Sequence, residues 1–220
     1  MAGIYYFITA VILTLRSDNT NQFLAILVAL IFWRWFSKTV DSAPTMISSY
    51  AGVLRQTNFS IRLILICYLG TETILFLMNF VVLLGFLACW GIWPHWSMAT
   101  LLIFMIPQLL FIACFTMAFS IAGTFVEDLS GLLYALTAIW WYMTPGIYSI
   151  DLVQKNAPHL LWLYKLNPFA HLVPAYQSIL LGHHIPSLTP ALILGVCCLP
   201  PLLLGLHAFR RARYYYFLFL

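Results

Sequence analysis

Long apolar runs with almost no charge in them leave this chain one environment and one kind of backbone. They lie at about 2–15, 22–37, 61–89, 99–123, 130–150 and 187–208. Only 7% of the 220 residues are charged, against 63% hydrophobic, and the mean hydropathy is +0.95, well past what a water-soluble domain of this size needs for its core. A bilayer core of about 30 Å takes roughly 20 residues of helix, and no water inside it pairs free backbone groups, so a spanning segment is a helix or part of a closed barrel. The apolar/polar alternation of barrel strands is absent. The chain reads as an all-α integral membrane protein, one transmembrane domain over 1–220 with six transmembrane helices.

Basic residues set the orientation. With the C-terminus in the cytoplasm, Arg34, Lys38, Arg55, Arg62, Arg210, Arg211 and Arg213 lie inside and only Arg16, Lys155 and Lys165 outside. That asymmetry follows the positive-inside rule and puts both termini in the cytoplasm. It also accounts for the net charge of +4. No basic patch is large enough to track phosphates, so no nucleic acid is expected as a partner. Residues 2–15 read as a first span and not as a cleaved leader, because no basic residue precedes the run and no small-residue cleavage site follows before Arg16.

Between the fifth and sixth runs the chain carries its own stop and start signals. WWYMTPGIYSID closes one span, and LNPFAHLVPAYQSILLG follows a short polar crossing. Asn167 can cap the first free N–H groups, Pro168 suits the first helical turn and Gly182 supplies the stop, so a helix is expected over about 168–181. Phe169, Leu172, Val173, Tyr176 and Leu180 share one face. A helix this short falls well below about 30 Å of rise and is expected to dip into the membrane or lie at its surface.

Polar residues inside the apolar runs carry functional hypotheses because lipid makes them costly. Glu72, beside Thr71 and Thr73, should face protein or water, either joining two helices or lining a path. Gln108 follows Pro107, whose ring frees a helix carbonyl that the amide can satisfy. Glu127 and Asp128 sit beside Ser130 and Gly131 where a helix begins, and the helix dipole favours carboxylates there. The cysteines at 67, 89, 114, 197 and 198 read as small packing residues with no metal-ligand spacing. His95, His159, His171, His183 and His184 come from separate loops without accompanying carboxylates, so no metal site is expected. None of Lys38, Lys155 or Lys165 lies in a G-x-x-x-x-G-K-[ST] setting, so any ATP hydrolysis requires another polypeptide.

The ordered set of WWYMTPGIYSID, LNPFAHLVPAYQSILLG, FLAILVALIFWRWFSKTV and the connector KTVDSAPTMISSYAGVLRQTNFSIR resembles the permeases of type-2 ABC exporters, specifically those exporting O-antigen, capsule or teichoic acid. Agreement is strongest over about 120–182 and moderate over 22–62. The resemblance implies a re-entrant half-helix pair between the last two spans, a homodimer, and two ATP-binding cassette subunits that carry ATP and Mg, leaving this chain without a cofactor. It implies a bacterial inner (cytoplasmic) membrane location, membrane lipid around the chain and a glycan or glycolipid as substrate. Ser48, Ser49, Tyr50, Arg55 and Gln56 become candidates for coupling to the ATPase, with a topology-fixing connector as the plainer alternative. Glu127 and Asp128 join them by position, although many family members carry Arg-Asp there. Trp140, Trp141, Tyr142, Phe169 and Tyr176 would converge near the outer leaflet as a substrate path, with His171 and Gln177 as polar partners of the sugar. An interfacial aromatic belt is the alternative for these rings, and family members often have arginine where this chain has Gln177. A drug or small-lipid exporter of the same superfamily and a multispan membrane transferase remain as other readings.

Overall fold

The computed structural model describes residues 19–50, 52, 61–144, 146, 161–182 and 184–207. The run at 2–15 lies outside them, as do Arg16, Arg55, Gln56, Ser60, Lys155, His159, His183, Arg210, Arg211 and Arg213. The described regular structure is helical. Helix α1 covers Asn19–Asp41, α2 Ala43–Ser49 and α3 Ile61–Cys89; a 3-10 turn at Trp96–Thr100 runs into α4, Leu101–Ala122. Then come α5 (Leu129–Tyr142), α6 (Leu161–Leu166), α7 (Pro168–Leu180) and α8 (Thr189–Cys197), with helix resuming over 199–207. The break at Cys198 precedes Pro200 and Pro201, which have no N–H to offer the carbonyls of the preceding turn.

Among the described residues four segments are long and apolar enough to cross a membrane: Gln22–Asp41, Arg62–Cys89, Trp96–Ala122 and Thr189–His207. Helix α3 shows the lipid solvent most directly. Ile64, Phe76, Leu83 and Leu87 form its thin buried stripe, while Ile66, Ile74, Met78, Val81 and Val82 are exposed. A helix apolar all round has no side suited to water. Exposed Trp90, Trp93 and Trp96 surround the α3–α4 link, a placement typical of a membrane interface.

Helix α5 is shorter than the run at 130–150 suggests. It stops at Tyr142, and the N–H groups of Met143 and Thr144 turn back onto Trp140 and Trp141. Pro145 follows, and a proline disfavours helical conformation in the residue before it. Fourteen residues rise about 21 Å at 1.5 Å each.

Helix α1 is the spine, packed against α3, α4, α5 and α7. In lipid there is little hydrophobic drive between helices, so association rests on close packing and interhelical hydrogen bonds. Both kinds are present. Phe32 of α1 stacks on Tyr176 of α7 with ring centroids 3.7 Å apart and planes 9° from parallel. The Tyr176 hydroxyl donates to Gln108 Oε1 at 2.6 Å, and Gln108 Nε2 donates to the Phe32 carbonyl at 2.9 Å. Gln108 therefore joins three helices and does not serve the carbonyl freed by Pro107, as its position in the sequence suggests. The α1 carbonyls have a second lone pair to give, and Tyr176 supplies a hydroxyl within reach, so the amide is better satisfied between helices.

Asn167 joins α5 to α7. Its Oδ1 accepts from Phe169 N and from Trp140 Nε1, both at 3.0 Å, while Nδ2 donates to the Met143 carbonyl at 3.2 Å and to Thr144 Oγ1 at 3.0 Å. The cap of one helix is thus also the anchor for the end of another. At the opposite end, α2 docks where α4 finishes. A side chain at Gly123 would collide with the backbone of Pro44, so the close approach of α2 depends on glycine.

Two consequences are measurable in detergent-solubilised protein. Asn167→Ala leaves the Trp140 indole and the Met143 carbonyl without their partner and should cost about 2–4 kcal/mol, read as a lowered thermal unfolding midpoint. Gly123→Ala should cost about 1–3 kcal/mol through overpacking, whereas Gly195→Ala, where nothing lies within 4 Å, should leave the midpoint unchanged or raised.

Candidate functional site

The residues expected to meet an ATPase gather at one end of the bundle, as far as they are described. Helix α2 buries Ala43, Pro44, Met46 and Ile47 and turns Thr45, Ser48 and Ser49 outward. Pro44 sits in the first turn, where its missing N–H costs nothing. The hydroxyls of Thr45, Ser48 and Ser49 bond back to carbonyls of Ser42 and Thr45 at 2.8–3.0 Å, leaving oxygen lone pairs and the half-exposed Tyr50 ring as the presented groups. Met46 and Ile47 pack with Ile64 of α3. The Gly123–Pro44 contact brings the turn after α4 alongside, with Phe125, Val126, Glu127 and Asp128 exposed on it.

Asp128 occupies the N-cap position of α5, but its side chain makes no capping hydrogen bond. The capping role suggested by the sequence is not realised; the backbone there, with φ −104° and ψ 25°, departs from the extended conformation that usual caps adopt. Glu127 and Asp128 are instead exposed carboxylates next to α2. Arg55 and Gln56, the other two coupling candidates, fall outside the described residues.

The end of α1 is clamped on both sides just before α2 begins. Lys38 Nζ lies 3.0 Å from Glu72 Oε2 on α3, and Thr137 of α5 donates to Asp41 at 2.9 Å. Tyr68 of α3 adds a hydroxyl to the Thr39 carbonyl at 2.9 Å. Glu72 is 13% exposed and Lys38 48%, so the pair is partly solvated and its worth lies mainly in neutralising an intramembrane carboxylate.

Two grooves flank α1 at this level. One of about 410 Å³ lies between α1 and α5, lined by Trp33, Arg34, Lys38 and Asp41 from α1 and by Tyr134, Thr137, Trp141 and Tyr142 from α5. The other, about 290 Å³, lies between α1 and α3, with Arg34, Lys38, Glu72 and Asn79 among its lining residues. Arg34 and Lys38 were legible only as topology signals, and Asp41 carried no reading from the sequence. Their i, i+4, i+7 spacing puts them on one helical face, the signal that marks them as a site.

The structure divides the expected substrate path. Phe169 and Tyr176 are fully buried core rings, and Trp140 packs against Phe169 with its indole N–H on Asn167. Phe169 is ringed by Trp33, Phe36, Phe111 and Trp140 at centroid distances of 4.8–5.9 Å. These three rings therefore do not converge on an open conduit. Helix α7 buries its apolar face against α1, and that packing uses them up. Trp141 and Tyr142 point the other way around α5, into the larger groove. Gln177 Nε2 is engaged by the Ala25 carbonyl at 2.9 Å, and His171 Nε2 lies 3.1 Å from the Lys165 carbonyl.

Among the described residues no group of three or more His, Cys, Asp or Glu is placed to hold a metal. Cys114 and Cys198 are buried between α4 and α8, while Cys67 and Cys89 lie exposed. The packing role read from the sequence therefore does not extend to those last two, which fall on the outward faces of α3.

No family model matches the chain. The O-antigen export system permease protein RfbA of Myxococcus xanthus is 25% identical over 181 residues, covering 82% of this chain and 69% of that protein. Two O-antigen export system permease proteins RfbA of Klebsiella pneumoniae are 24% and 25% identical over 182 and 183 residues, each covering 82% of this chain and 68% of its own length. With helices of membrane-spanning length and a capped short helix between α5 and α8, that similarity relates the chain to the type-2 ABC exporter permeases of the polysaccharide-export group.

Proposed function

We propose that this chain is the transmembrane permease subunit of an ATP-driven exporter, moving a lipid-linked polysaccharide from the cytoplasm across a bacterial inner membrane. The observation that carries the reading is similarity over 82% of the chain to proteins named for O-antigen export. Two copies would form the path between them, and two ATP-binding cassette subunits holding ATP and Mg would dock on the cytoplasmic face. Six spans per copy, with α6 and α7 as the half-helix pair and both termini cytoplasmic, complete the arrangement.

The geometry supports this assignment of roles. Helix α2 is short, seated by Pro44 against Gly123, and continuous with a clamped end of α1. A partner pressing on it moves α1, α4 and α5 together. Arg34, Lys38 and Arg62 lie on the half of the bundle that ends at α2, as a cytoplasmic side requires. Helix α7, about 20 Å long by its thirteen residues, is too short to span and packs along α1 from Phe36 to Ala25. The transferase reading gains nothing: Glu72 is paired with Lys38, and among the described residues no group of three or more His, Cys, Asp or Glu is placed to hold a metal.

Co-purification with a P-loop ATPase encoded beside this chain, followed by ATPase and export assays in lipid, tests the reading. Tyr50→Ala and Arg55→Ala should weaken ATPase binding or coupling by roughly tenfold or more, the scale of a buried interface anchor, with intracellular glycan accumulating as export fails. Absence of any ATPase partner with the unaltered chain would overturn the proposal, and drug sensitivity without glycan accumulation would redirect it to another substrate.

A further inference from the structure

Helices α1 and α2 meet at a very short junction. Asp41 ends α1, and Ser42 alone separates it from the start of α2 at Ala43. The Asp41 carboxylate reaches from this junction to a different helix: the Thr137 hydroxyl of α5 lies 2.9 Å from Oδ1 and 3.2 Å from Oδ2. That hydroxyl is also 3.2 Å from the Tyr134 carbonyl of its own helix. A hydroxyl has one proton to give, and the shortest contact directs it at Asp41. Arg34 lines the same groove and acts on the carboxylate through its charge, but it belongs to α1 itself, so Thr137 supplies the tie to α5. Thr137 is 5% exposed, which shelters the bond from competing water.

Three residues further along α5 comes Trp140, whose indole N–H donates to Asn167 Oδ1 at 3.0 Å. The group that holds the α1–α2 junction and the group that holds the cap of α7 are therefore less than one helical turn apart, a rise of about 4.5 Å. Met143 and Thr144, at the end of the same helix, accept from the Asn167 amide. Helix α1 also touches the start of α7, through Trp33 and Phe36 against Phe169. Those ring contacts can slide, whereas hydrogen bonds inside a bilayer fix one position against another. We propose that the Asp41–Thr137 bond is the joint through which movement of α2 reaches the start of α7, which makes Asp41 and Thr137 positioning residues for transport. The proposal rests on the exporter reading, in which an ATPase moves α2.

The test is hydrogen exchange of the full chain in complex with its ATPase in lipid nanodiscs, with and without a non-hydrolysable ATP analogue, alongside the thermal unfolding midpoint. In the unaltered complex the analogue should change exchange over residues 45–50 and over 166–171 by about fivefold or more, the low end of an allosteric coupling. Thr137→Val keeps the side-chain shape and removes the donor. The response over 45–50 should persist, and that over 166–171 should fall below about twofold; Thr137→Ser should restore it. Asp41→Leu combined with Thr137→Val removes both partners and leaves no unpaired carboxylate. Its midpoint should recover toward the unaltered value while the response over 166–171 stays lost, a split that a purely stabilising bond does not produce. Tyr68→Phe removes another hydroxyl bond to the end of α1, the one from α3 to the Thr39 carbonyl, and should leave both responses in place.

An undiminished response over 166–171 in Thr137→Val, or no response there in the unaltered complex, overturns the joint. So does a response that returns in the double variant together with the midpoint, or one that Tyr68→Phe abolishes equally. Loss of the response over 45–50 in Thr137→Val overturns it as well, because the bond then shapes α2 and does not link it to α7. If no ATPase co-purifies with the unaltered chain, the exporter reading falls and the joint with it. An ATP-responsive α2 with an α7 indifferent to Thr137 keeps the exporter and loses the joint.

Discussion

Four hydrogen bonds to one asparagine hold together the part of this protein that distinguishes it from a plain bundle. Asn167 caps α7 through its oxygen, accepts the Trp140 indole at the same atom, and ties its amide to the last turn of α5. With every polar atom of the side chain engaged, α7 can start in only one place and direction relative to α5. Phe169 then enters the pocket of Trp33, Phe36, Phe111 and Trp140, and one face of α7 closes along α1. A buried amide with four partners specifies geometry in a way that apolar contact in lipid does not, since lipid chains compete for apolar contact and not for hydrogen bonds.

The same economy governs α1. Its carbonyls at Ala25, Phe32 and Thr39 accept side-chain donors from α7, α4 and α3 in addition to their helical bonds, and its charged end is held by Glu72 and Thr137. One helix is thus bonded along its length to the short α7 at one end and to the seat of α2 at the other. Displacement of α2 has a rigid route toward α7 through a single element, a physical basis for linking events on the two sides of a membrane.

Aromatic residues in this chain serve three different purposes that composition alone does not separate. Trp90, Trp93 and Trp96 are exposed around a connection, as at a membrane interface. Phe32, Phe169 and Tyr176 fill the interior. Trp141 and Tyr142 line a groove that also holds Arg34. Neighbours in sequence part company here: Trp140 and Trp141 are adjacent, but about 100° of helical rotation sends one to Asn167 and the other to the groove.

By itself the sequence determined the solvent, the helical backbone and the local signals. Apolar runs free of charge require helices in lipid, and Asn167-Pro168 starts a helix because a side-chain oxygen and a missing N–H act within a few residues of each other. The early end of α5 was legible too, at Pro145, though the apolar run past it hid the signal. Partner choice was decided only by the tertiary structure. Whether Gln108 served its own helix or another, whether Asp128 bonded the turn it precedes, and which rings went inside all depended on which helices came together. Those outcomes depend on distances between residues dozens of positions apart, such as the 68 separating Gln108 from Tyr176, and helical periodicity within one segment carries no information about them.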